Sequence, residues 1–141
     1  MSMSEGLGNV GITCEVSDAS AAEHLIVVGN TSNTTINKKV VAKATGSTVV
    51  PLGVTCEATT AANQNATIQV AGVAMVTVDG SGTAIDINDS IIPDSSARGV
   101  KAAAAGATEQ IALGYALAPS SAAGDVIPVL IDRHHLEIGA S

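Results

Sequence analysis

The chain is nearly free of aromatic residues, poor in charge and short of cysteine, and each shortage removes a class of protein. Its 141 residues hold one Tyr and no Phe or Trp, so sites that stack sugars or bases on ring faces lack their platform. Charged residues make up 13 %, about half the roughly 25 % of an ordinary soluble domain. With 13 acidic and 6 basic residues the net charge is −7, whereas a nucleic-acid surface needs clustered cations. The nearest cluster, Lys38, Lys39 and Lys43, is too small. Neither nucleic acid nor an anionic membrane is an expected partner. Cys14 and Cys56 make neither a metal set nor a dense disulfide framework. Leu is scarce too, with 7 against 16 Val and 12 Ile. β-Branched residues favour pleated strands, which excludes a Leu-rich bundle or coiled coil. No apolar stretch approaches the roughly 18 residues of a membrane span. The polar, Gly-rich start, residues 1–11, lacks the basic flank and apolar run of a signal peptide. A soluble, reduced protein made in a cytosol is expected.

What the chain does have is internal similarity. Gly11-Ile12-Thr13-Cys14-Glu15-Val16 recurs as Gly53-Val54-Thr55-Cys56-Glu57-Ala58, and more weakly as Gly114-Tyr115-Ala116-Leu117-Ala118. A polar, Ala-rich stretch and then a β-branched run follow each copy. Residues 39–46 lead to Leu52-Gly53 as residues 99–107 lead to Leu113-Gly114. Each unit reads as strand, polar turn, strand. Between the second and third copies, residues 73–78 and 83–87 flank Asp79-Gly80-Ser81-Gly82, which predicts a hairpin. Residues 18–25 and 101–105 could instead form short helices; the repeat favours a turn at the first.

The pattern predicts an all-β fold, a small sandwich or barrel-like arrangement of short strands with a flexible N-terminal arm. The arm is residues 1–10 and the single domain residues 11–141.

Several strings resemble sites and carry none. Gly6-Leu7-Gly8-Asn9-Val10-Gly11 satisfies G-x-G-x-x-G, but no strand precedes it and no helix follows. His134 and His135 are adjacent and would point to opposite faces of a strand, and His24 lies far off. Asp79, Asp86, Asp89 and Asp94 read as turn and surface carboxylates, without the spacing of a calcium loop. Cys14 and Cys56 each adjoin a Glu, which disfavours a thiolate, and both read as small buried residues. Tyr115 is expected in the core or at an interface. No nucleophile elbow or Cys–His arrangement is present, so no catalytic residue, metal ligand or cofactor is assigned.

The ordered series Pro51-Leu52-Gly53-Val54, Ile68-Gln69-Val70-Ala71-Gly72-Val73-Ala74, Ile87-Asn88-Asp89-Ser90-Ile91-Ile92-Pro93-Asp94, Arg98-Gly99-Val100-Lys101-Ala102, Ile111-Ala112-Leu113-Gly114-Tyr115 and Gly124-Asp125-Val126-Ile127-Pro128-Val129-Leu130 resembles the capsid cement, or head decoration, proteins of tailed bacteriophages. Order and spacing over residues 38–132 carry the likeness; Asn88-Asp89 stands where Gly-Asp is usual. The resemblance implies a non-enzymatic virion protein on the capsid exterior that bridges major capsid subunits of the expanded head, associating with itself as a trimer. Its alternatives are another structural β-protein of a virion, such as a fibre, spike or tail component, or a small trimeric β-barrel enzyme. The arm residues Met3, Glu5, Leu7 and Val10 are the expected capsid contacts.

Overall fold

The computed structural model describes residues 8–102 and 110–136. The expected all-β fold is what is found: nine strands order these residues, β1 (Val10–Val16), β2 (Ile26–Gly29), β3 (Val40–Lys43), β4 (Gly53–Thr55), β5 (Gln64–Asp79), β6 (Ser90–Pro93), β7 (Gly99–Lys101), β8 (Gln110–Ala116) and β9 (Ala123–Leu136). Val and Ile fill them because a branched Cβ suits the pleat and alternation buries every second side chain.

Two closed rings of strand pairings share one long strand. In the first, β1, β3, β2, β4 and the first half of β5 close on one another, because β1 also pairs with β5. In the second, the remaining half of β5 with β7, β6, β8 and β9 closes through β5–β9. The connectivity is the same in both. The first strand runs parallel to the third, β1 to β3 and β5 to β7, and the other neighbours are antiparallel.

The equivalence holds residue by residue. Val27 opposite Gly53 becomes Ile91 opposite Gly114. Val54 opposite Gln69 becomes Tyr115 opposite Leu130. Val16 opposite Gln64 becomes Val78 opposite Asp125. The isolated bridge Ala21–Thr59 is repeated as Ile85–Ser120. Positive φ angles recur at matching turns: His24 (66°) with Asn88 (75°), Asn37 (70°) with Ala97 (64°), and Asn63 (62°) with Gly124 (89°). Two lobes of one topology are joined end to end.

Two features differ from the sequence expectation. The similarity of residues 11–16 to 53–58 does not mark equivalent strands: β1 and β4 both flank β5, with Gly11 and Val54 opposite Gln69. The Asp79-Gly80 turn makes no hairpin. Asp79 caps Ser81 locally, but the chain then meets β8's following loop through Ile85 and Ser120, since ring closure has already given β5 its partners. Residues 18–25 form turns, as the repeat suggested, while part of the 101–105 segment lies outside the described residues.

The core divides into two clusters, of which the larger crosses the junction. One buried cluster (Cys14, Val16, Val27, Val41, Ala66, Ile68 among others) fills the first lobe. The larger one (Val76, Val78, Ile91, Leu113, Ile127, Val129) fills the second and takes in Ile26, Ala44 and Val54 from the first. Each fully buried Val or Ile contributes about 1.5–3 kcal/mol of burial.

Candidate interaction face

β5 changes character along its outward side. Alternation sends Ala66, Ile68, Ala74, Val76 and Val78 inward, so Asn65, Thr67, Gln69, Val73, Met75 and Thr77 face out. The outward residues are polar in the first lobe and mostly apolar in the second. Across from them on β9 stand Leu130 opposite Val73, Pro128 opposite Met75, and Val126 opposite Thr77. Tyr115 on β8 lies opposite Leu130, and the Leu117 N–H donates to the Pro128 carbonyl.

Val73, Met75, Val126 and Leu130 keep between 40 % and 44 % of their surface exposed. With Leu117 they are five of the nine large apolar side chains left exposed among the described residues, so the exposure is gathered rather than scattered.

The first lobe supplies an internal control. Register puts Gly11, Thr13 and Glu15, with Gln69, Thr67 and Asn65, at the positions of Val73, Met75, Thr77, Leu130, Pro128 and Val126. There the face is polar and carries the Glu15–Lys38 ion pair at 3.1 Å. The same backbone tolerates either chemistry, so the fold does not require an apolar outer face on the second lobe.

Tyr115 also stacks on His134, ring centroids 4.5 Å apart and 8° from parallel. The His134 Nδ1 lies 2.7 Å from the Asp132 carbonyl oxygen, which can only accept. A hydrogen bond there puts a proton on Nδ1, and Nε2 pairs with the Ser90 hydroxyl at 2.9 Å. This is a hydroxyl–imidazole pair oriented by a backbone carbonyl, without the buried carboxylate that steadies the imidazolium in serine hydrolases. It ties β6, β8 and β9 together.

The acidic stretch is built into turns and ion pairs. Arg98 reaches Asp94 at 3.0 Å and Asp79 at 3.2 Å, and Lys101 reaches Asp89 at 3.5 Å. Asp89 also accepts from the Asp86 N–H. Asp79 accepts from the side chain and backbone of Ser81, and these bonds with Arg98 hold its carboxyl below the usual carboxylate range. No group of three or more His, Cys, Asp or Glu able to hold a metal ion occurs among the described residues.

The cysteines part company. Cys14 is buried as expected, but Cys56 is exposed, because it follows the short β4 on the outward side where β1's Cys14 points in. Both thiols are free. Desolvation raises the pKa of each thiol, Lys39 opposing the rise at Cys14.

Of the four expected contact residues, Met3, Glu5 and Leu7 lie outside the described residues. Val10 opens β1, half exposed and opposite Ala71. Its neighbour Asn9 accepts from the Val73 N–H at 3.0 Å, so the start of the described chain adjoins the apolar face. That face was missed in the sequence, although aligning residues 64–69 with 125–130 exposes its signal, polar outward positions turned apolar.

No protein-family model matches the chain, and no curated protein sequence matches it. Among solved structures, the chain resembles the N base of the head fiber gp8.5 of bacteriophage phi29, with a TM-score of 0.64 at 15 % identity, over 92 % of this chain and 98 % of that one.

Proposed function

We propose that the chain is a structural protein of a tailed-phage head, carried on the outside of the capsid. The observation that supports this most is the likeness over nearly its whole length to the base of a phage head fiber. The cement-like order of strand motifs agrees with it, as do the few charges and the exposed apolar face of the second lobe. The base of a head-attached fibre fits at least as well as a cement protein that staples capsid subunits.

In either form its partners are the major capsid protein and further copies of itself, a trimer in the decoration reading. Capsid contact is assigned to the arm, Met3, Glu5 and Leu7, with Val10 at its root. A ligand that binds only the assembled shell stabilises it by mass action, and several arms on one oligomer multiply that by effective concentration. No catalytic step is assigned.

The test is direct. Purified virions are searched for the chain by mass spectrometry, and difference density is sought between native heads and heads stripped of it. Density on the capsid exterior supports the proposal, and a fibre rising from it selects the fibre form. Absence from virions overturns it.

A further inference from the structure

We propose that the seven residues before Gly8 turn back over the second lobe and cover its apolar face, Met3 and Leu7 packing on Val73, Met75 and Leu130. The inference concerns the isolated chain and does not depend on the virion reading.

The described residues fix the root of this segment. β1 runs antiparallel to β5, from Val16 opposite Gln64 to Val10 opposite Ala71, so the chain upstream of Val10 heads toward the second lobe. Asn9 is already there, its side-chain oxygen accepting from the Val73 N–H at 3.0 Å. Gly8 and Asn9 lie so close to Gly72 that a Cβ on it would strike the Gly8 carbonyl and the Asn9 side chain.

The upstream chain cannot go on along the edge of β5. Alternate N–H groups of a strand point to one edge, so the Thr77 N–H faces the edge that Val73 turns to Asn9. Thr77 donates to the His24 carbonyl at 2.9 Å, and Gly99 of β7 stands opposite Val78. The segment therefore leaves the sheet plane beside Met75. On the inward side Ala74, Val76 and Val78 sit in a filled core. On the outward side stand Val73 and Met75, 41 % and 44 % exposed, with Leu130 opposite Val73.

Reach and chemistry agree. Leu130 is one strand spacing from Val73, about 5 Å. Seven residues span about 10 Å even as a helix and roughly 23 Å when extended. Met3 and Leu7 are large and apolar, with Ser2, Ser4 and Gly6 small beside them. The polar outer face of the first lobe fits the same arrangement, because the segment heads away from it. The other apolar groove, formed by Val28, Ala42, Val49, Val50 and Leu52, belongs to that first lobe; to enter it the segment would have to reverse at Asn9. A capsid that bound the arm would draw it off and leave the face free.

The test uses the full chain in solution, so its failure leaves the virion reading standing, and absence from virions leaves this one standing. Nuclear Overhauser contacts are measured between methyl groups, in uniformly labelled protein and in a mixture of labelled and unlabelled chains. Contacts from Met3 or Leu7 to Val73, Met75 or Leu130 within one chain are expected. Contacts to Val49 or Val50 instead, contacts only between chains, or none at all overturn the proposal.

Peroxide oxidation of Met75, read by peptide mass, gives a second measure. Oxidation follows exposure, so Met75 should react about fivefold faster in the Met3→Ser, Leu7→Ser double variant than in wild type. Far-UV circular dichroism checks that the variant is folded. An unchanged rate in a folded variant overturns the proposal, and should the variant unfold, the wild-type methyl contacts decide alone.

Discussion

Gly53 and Gly114 stand in the same place in successive lobes, each with its α-carbon pressed against a backbone carbonyl, that of Gln69 for the first and of Leu130 for the second. A Cβ at either site would enter that oxygen. The approach lets β4 and β8 close their rings against β5 and β9. The Leu-Gly pairs at residues 52–53 and 113–114 are therefore duplicated for a steric reason.

Gly53→Ala and Gly114→Ala should each destabilise the protein by about 1–3 kcal/mol, the usual cost of overpacking. For a chain of this size that lowers Tm by about 3–10 °C. Calorimetry of the two variants checks it. A drop at one site without the other would mean that the lobes are not equivalent under strain.

This pair also shows how far the sequence could be read. The all-β class was visible in the excess of Val and Ile over Leu, and the β3–β4 to β7–β8 correspondence in the repeated Leu-Gly. The relation of β1 to the second half of β5 was hidden, because no turn marks where β5 leaves one ring and enters the next. The likeness of the Gly11 and Gly53 segments instead reflects two strands that both flank β5 near Gln69. The Asp79-Gly80 turn was read correctly as a turn and wrongly as a hairpin, since pairing partners are set by ring closure rather than by the turn. The apolar face was hidden because residues 73–78 are an apolar run broken only by Thr77; only the folded register separates Val73 and Met75 from Val76 and Val78.

Asn63 and Gly124 hold the same left-handed turn before β5 and in β9, with φ of 62° and 89°. Asn63→Gly should be close to neutral, because its counterpart is already Gly. Asn63→Ala should cost about 1 kcal/mol, since a Cβ without the Asn side chain's local hydrogen bonding is penalised there. Chemical denaturation of the two variants side by side checks the order Gly above Ala.

Acid should weaken the junction of β5 and the 94–98 loop. The carboxyl of Asp79 titrates below its unfolded value because Ser81 donates to it and Arg98 faces it. A depressed pKa gives stability that is present above the unfolded value and lost as pH falls through the folded one. Unfolding midpoints of wild type should therefore fall below about pH 4. Asp79→Asn should start lower at neutral pH and lose less on acidification. Parallel slopes for the two proteins would remove Asp79 as the cause.

Thiol reactivity should separate the two cysteines. In the folded protein Cys56 should react with a disulfide reagent and Cys14 should not, while both react in denaturant. Burial raises the Cys56 pKa, so at neutral pH its thiolate fraction is smaller and its rate slower than that of a free thiol. The rate should climb as pH rises past 9. Two reactive thiols in the native protein would contradict the burial of Cys14.

The lobes should unfold together, and the chain carries its own probes for each. Tyr115 is the sole aromatic residue, so tyrosine fluorescence reports the second lobe through its stacking on His134. Exposure of Cys14, buried in the first-lobe cluster, reports the first. Because β5 belongs to both rings and Ile26 of the first lobe sits in the core of the second, neither lobe can open without stripping the other of a wall. The fluorescence and thiol transitions should share one midpoint in urea, the signature of a two-state unit. Ile26→Ala should move both midpoints alike, by the roughly 2–5 kcal/mol of a large-to-small core change. Separated midpoints would make the shared strand a hinge between independent domains rather than the spine of one.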